Sequence, residues 1–89
     1  MEYQTGMLVE SRAGHDRGTL YIITGFEDGF VRVSDGRLKP VEHPKRKKPI
    51  HIAKKAQVPA LILERLEAGE TIANEDIRRV IKIWRSENV

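Results

Sequence analysis

Residues 42 to 55 read EHPKRKKPIHIAKK and hold six of the chain's sixteen lysines and arginines, two of its three histidines and two of its four prolines. Ammonium and guanidinium groups at this density suit one kind of chemistry: they neutralise phosphates and release the counterions those phosphates hold. A second candidate is Arg12-Ala13-Gly14-His15-Asp16-Arg17-Gly18. Glycine at 14 and 18 lets the backbone turn sharply and approach a ligand, while Arg12, His15 and Arg17 reach phosphate. Catalysis has little to work with. There is no cysteine nucleophile, and Ser11, Ser34 and Ser86 stand in no elbow of the G-x-S-x-G kind. Gly14 to Gly18 fails as a Walker cradle, because Thr19-Leu20 follows Gly18 where that pattern needs Lys and then Ser or Thr. His15, His43 and His51 have no paired helical spacing and no cysteine companions, so neither a metal site nor a cofactor is expected. The chain reads as a binder, not an enzyme.

The net charge of +3 understates how the charges are sorted. Residues 1 to 36 carry three basic against six acidic groups, a balance of −3. Residues 37 to 56 carry eight against one, Glu42, a balance of +7, and residues 57 to 89 carry five against six, a balance of −1. Nearly all the positive field therefore arises in one segment. A clustered basic stripe on an otherwise neutral domain is the electrostatic footprint of a polyanion binder; the bland alternative is a solvated lysine-rich loop.

The elements that must position these charges fit one small domain of 89 residues. The absence of cysteine suits a reducing, cytoplasmic setting. Met1-Glu2-Tyr3-Gln4-Thr5-Gly6 has no basic start and no apolar core, and apolar runs elsewhere are brief, so neither a signal peptide nor a membrane span is expected. The first half reads as short strands and turns. Met7 to Ser11 is followed by the glycine-closed loop, and then by the β-branched and aromatic run Leu20-Tyr21-Ile22-Ile23-Thr24. Glu27-Asp28-Gly29 supplies an Asp-Gly hairpin turn. Phe30-Val31-Arg32-Val33-Ser34 then alternates, with Val31 and Val33 on one face and Phe30 and Arg32 on the other, before a second Asp-Gly turn at Asp35-Gly36. This is the pattern of a small antiparallel sheet or barrel.

Ile50 and Ile52, two apart, predict a short strand that buries both and turns His51 the other way. Pro44 and Pro49 bracket Lys45-Arg46-Lys47-Lys48, which predicts a stiffened basic loop pinned at both ends. Residues 54 to 58 read as a linker. The period then changes. Pro59 suits the first turn of a helix over Ala60 to Ala68, with Gly69 as its stop. Asn74 is the expected N-cap of a second helix, in which Ile77, Val80, Ile81 and Trp84 form an apolar stripe and Arg78, Arg79, Lys82 and Arg85 take other faces. Trp84 is expected in the core, in register with that stripe, and not as a base-stacking platform. Tyr21, Phe26 and Phe30 are expected as core filling too, with Phe30 the one to show a face. Five aromatics in all argue against a sheet that stacks several bases and against an aromatic methyl-lysine cage.

The stretch Gly6-Met7-Leu8-Val9-Glu10-Ser11-Arg12-Ala13-Gly14-His15-Asp16-Arg17-Gly18-Thr19-Leu20-Tyr21-Ile22-Ile23 resembles a KOW motif: a glycine, an apolar strand, a glycine-closed basic loop and a second apolar strand. With Phe30-Val31-Arg32-Val33, Asp35-Gly36-Arg37, Pro44-Lys45-Arg46-Lys47, His51-Ile52 and the tail Gly69 to Arg78, it looks like the large-subunit ribosomal proteins of the fourteen-e, six-e and twenty-seven-e types. It is most similar to their short bacterial relatives, KOW-domain RNA-binding proteins. The resemblance covers residues 6 to 82. Asp16 departs from a fully basic loop, and the archaeal and eukaryotic members carry a different C-terminal extension.

That family implies an SH3-like barrel whose KOW loop and basic block face ribosomal RNA. Arg12, Arg17, Lys45, Arg46, Lys47 and Lys48 then become the phosphate-contacting set, with His43, His51, Lys54 and Lys55 as neighbours and His15, Arg37 and Lys39 completing the surface. The expected fold is mainly β: a five-stranded, partly open SH3-like barrel over residues 1–56, followed by two short C-terminal α-helices over residues 57–89 packed on the same domain. The expected function is non-catalytic RNA binding in or near the ribosome by a protein that is monomeric when free, with ribosomal RNA as partner, ribosomal proteins as further partners and no membrane. The other reading is a protein-interaction module, since KOW domains also occur in transcription elongation factors; an edge strand or the C-terminal stripe would then dock a protein.

Overall fold

The computed structural model describes residues 2–88. Five strands, β1 (Leu8–Ser11), β2 (Leu20–Glu27), β3 (Phe30–Ser34), β4 (Lys45–Lys47) and β5 (Ile52–Ala56), form one antiparallel sheet in the order β4-β3-β2-β1-β5. Two helices follow, α1 (Ala60–Glu67) and α2 (Asn74–Glu87). The sheet curls without pairing β4 to β5, giving the partly open five-stranded arrangement with two C-terminal helices that the sequence predicts. Among the described residues, no helix is long and apolar enough to cross a membrane.

The continuous apolar run of β2 has a direct cause: the strand is covered on both faces. Tyr21 and Ile23 join Met7, Val9, Val31, Val33 and Ile52 in the concave interior, while Leu20 and Ile22, with Leu8, face the helices and pack with Ile62, Ile72, Ile77, Val80 and Ile81. β2 runs on past Thr24 because a bulge between Ile23 and Gly25 bends it without breaking its pairing with β3. Asp28 and Gly29, with φ of 49° and 81°, make the tight turn expected of an Asp-Gly pair. Phe26, beside that turn, is an exposed side chain and not core filling.

α1 ends in a Schellman arrangement: Glu70 N–H donates to the Arg65 carbonyl at 2.9 Å and Gly69 N–H to that of Leu66 at 3.1 Å. The α2 stripe is buried as expected at Ile77, Val80 and Ile81, with Trp84 packed at its margin. Asn74 is not the N-cap. That position belongs to Ala73, whose N–H is taken by the Asp76 carboxylate at 3.2 Å. The Asn74 side chain instead accepts from Val41 N–H at 2.8 Å and donates to Glu42 at 2.9 Å, tying the segment before β4 to the helix.

Three further expectations are corrected. Pro49 starts a 3₁₀ turn over Pro49–His51 instead of a strand, since its fixed φ suits a first helical position, and Ile50 is left 82% exposed while only Ile52 enters the core. The proline-bracketed cations form strand β4 and not a loop. Residues 54 to 58 are no linker: Lys54 to Ala56 belong to β5, and Val58 packs against both apolar clusters.

Candidate nucleic-acid interface

Strand alternation splits the Lys45-Arg46-Lys47 run. Val33 faces Lys45, Arg32 faces Arg46 and Val31 faces Lys47 across the β3–β4 ladder. Residues opposite one another share a face, so Lys45 and Lys47 turn to the concave side with Val31 and Val33, while Arg46 turns outward with Arg32 and Phe30. There the Arg46 guanidinium carbon lies 5.2 Å from the centre of the Phe30 ring, a cation–π contact, with Glu27 at 3.9 Å.

On the concave side, Asp16 receives both lysines. Lys47 Nζ donates to its Oδ1 at 2.8 Å and to the Ala13 carbonyl at 2.8 Å, and Lys45 Nζ lies 3.1 Å from its Oδ2. Tyr21 OH donates to Oδ2 at 2.7 Å and Ser11 Oγ to Oδ1 at 2.9 Å. Burial alone would raise the pKa of this carboxylate, but the hydrogen bonds from Lys47, Tyr21, Ser11 and Lys45 outweigh it and hold Asp16 well below the usual carboxylate range. The converse holds for Tyr21, whose pKa is pushed up by burial and by its bond to the Asp16 carboxylate.

This network fastens the glycine-closed loop to the sheet. Gly14 and Gly18 adopt φ of 87° and 92°, the region other residues avoid, which lets Gly18 N–H reach the Ser11 carbonyl at 2.8 Å and Arg17 N–H that of Gly14 at 3.2 Å. Arg12 N–H donates to the His51 carbonyl at 2.8 Å. Loop 12–18, β4 and the 3₁₀ turn are thus one connected surface.

Arg12, His15 and Arg17 on the loop and Lys48 just after β4 are exposed, Arg46 is exposed on the opposite, outward face of β4, and His51 is half-buried. Lys54 and Lys55 are exposed on β5, the latter 3.7 Å from Glu10, which also lies 3.5 Å from Arg12. Lys47 is the clear correction: its side chain is 8% exposed against 57% for Arg46, so it braces the site from within and does not face a ligand. Lys45 is intermediate, part-exposed and bound to Asp16. Arg37, Lys39 and His43 are exposed but belong to the segment between β3 and β4 that is tied to α2. Sequence reasoning saw Asp16 only as a departure from a basic loop. The missed signal was a lone acid facing two lysines spaced i, i+2, the period that puts both on one side of a strand.

No protein-family model matches this chain, and no curated protein sequence matches it.

Proposed function

We propose that the protein binds RNA without catalysis, using the exposed cations of loop 12–18, of β4 and of the Lys48 that follows it to neutralise backbone phosphates. One observation carries the reading: the basic run is a strand, so Arg46 is held outward by the sheet while Asp16 holds Lys45 and Lys47 and fastens the loop that bears Arg12 and Arg17, and the positive surface is preorganised. Arg17, Lys48 and Lys54 have no carboxylate partner among the described residues, leaving their charge available to a ligand. Phosphate contacts of this kind position a backbone and read no sequence, so selection rests on RNA shape and charge. The resemblance to KOW-domain ribosomal relatives supports structured RNA in or near the ribosome, met in the cytoplasm, as the partner.

Arg46→Glu with Lys48→Glu tests this. Both side chains point to solvent, so the circular dichroism spectrum should be unchanged while affinity for structured RNA and co-sedimentation with ribosomes fall. If about four to six phosphates are engaged, log affinity in the unaltered protein should decline with log salt at a slope of about −3 to −5. Retained RNA binding by the folded double variant would favour a protein-docking module instead.

A further inference from the structure

Resting on that RNA-binding reading, we propose that a second cationic cleft, between the turn at residues 35–37 and α2, continues the phosphate-binding track, so that the bound strand runs from the glycine-closed loop onto the C-terminal helix. Arg37, Arg78, Arg79, Lys82 and Arg85 line it, with Thr19 in its wall. Asp35 is the only carboxylate among the lining residues, and its Oδ1 already accepts the N–H groups of Arg37 and Lys39, each at 2.9 Å. Among the described residues, none of the five cations has a carboxylate within ion-pair distance. Arg78, Lys82 and Arg85 fall at i, i+4 and i+7, so they stack along one side of the helix, where like charges repel and an anion relieves them.

The cleft is also built to stay in place. Arg78 Nη1 donates to the Gly36 carbonyl at 2.7 Å, and the turn sits so close to the helix that a Cβ on Gly36, at φ 76°, would come within 2.5 Å of the Asn74 carbonyl oxygen. Ser34 Oγ, buried, takes the Gly36 N–H at 3.1 Å.

Two features choose an extended phosphodiester over a compact anion. Seven residues of helix separate Arg78 from Arg85 by about 10 Å, against about 3.4 Å of axial rise per nucleotide of a strand, so one phosphate group cannot meet all of these cations. Thr19 in the cleft wall stands two residues from Arg17 in the chain, so the cleft begins beside the glycine-closed loop.

The test compares three versions of the 89-residue chain for binding to a fluorescently labelled RNA hairpin with single-stranded flanks across a salt series, folding being checked by circular dichroism. They are the unaltered protein, the cleft variant Arg79→Gln/Lys82→Gln/Arg85→Gln, and the surface variant Arg46→Glu/Lys48→Glu. Arg78 is spared because it holds the turn. The cleft variant should bind about tenfold or more weakly at low salt, with the slope of log affinity against log salt reduced in magnitude by about 2 to 3. An unchanged slope and affinity there, with the surface variant impaired, overturns the cleft and leaves the first reading standing. Loss in the cleft variant with an unimpaired surface variant overturns both the first surface and the continuous track that runs from it. Poly-glutamate binding as tightly as the hairpin, and losing affinity equally in the cleft variant, overturns the nucleic-acid assignment.

Discussion

Removing the Asp16 carboxylate should cost far more than its position in a glycine-rich surface loop suggests. Asp16→Ala deletes the acceptor of Lys47, Tyr21, Ser11 and Lys45 at once. Lys47 keeps only the Ala13 carbonyl and stays 8% exposed, and the Tyr21 hydroxyl loses its partner in a residue 2% exposed. Leaving a buried charge unpaired costs about 3–5 kcal/mol, and an orphaned hydroxyl about 1–3 kcal/mol. The two overlap, so about 3–5 kcal/mol is expected in total, a large part of the 5–15 kcal/mol typical of a domain. Lys47→Met removes the ammonium with little change of volume and leaves Asp16 three donors, so it should cost less. The double variant should then lose less than the sum of the singles by about 1–3 kcal/mol, because neither half of the pair is stranded. Urea unfolding of the three variants, followed by circular dichroism and Trp84 fluorescence and extrapolated linearly, measures all these values. A loss below about 1 kcal/mol for Asp16→Ala, or strict additivity in the double variant, would refute the argument that this ion pair frames the basic surface.

Other outcomes follow from the same contacts. Asp16 has its folded-state pKa below the unfolded value of about 4, so its contribution is present above that pH and lost as pH falls through the folded value; acid titration should show stability declining below about pH 4, and Asp16→Ala should flatten that decline. Tyr21 is raised in the folded state, so its contribution is present below about pH 10 and lost as pH rises past it; ultraviolet titration of the tyrosinate should show this ring ionising only with unfolding. Gly36→Ala, at positive φ and against the Asn74 carbonyl, should destabilise by about 1–3 kcal/mol in thermal unfolding. Ile22→Ala in the doubly covered strand should cost about 2–5 kcal/mol, whereas Ile50→Ser, at a side chain already in solvent, should stay within about 0.5 kcal/mol; equal effects would contradict the 3₁₀ assignment.

Much of the architecture was legible in the chain. The alternation of Phe30 to Ser34, the Asp-Gly turns, Gly69 after α1 and the stripe Ile77-Val80-Ile81-Trp84 are local signals, each set by a backbone preference or a period spanning a few residues. Residues 45–52 misled for a local reason of another kind. A strand made of lysine and arginine has no apolar alternation to announce it, and two isoleucines spaced i, i+2 imitate a strand that Pro49 forbids. Charge sorting alone located the basic surface but could not say which of its cations face outward.

The sequence by itself determined that the molecule is mainly β with two short helices and that its positive charge is concentrated in residues 37–56, because composition and short-range periodicity carry that information. Only the tertiary structure decided that Lys47 points inward to Asp16, 31 residues earlier, and that Arg37 shares a cleft with the cations of α2. Those pairings depend on strand register and on how the helices dock. Both are set by the burial of apolar faces far apart in the chain, and no local run of residues contains them.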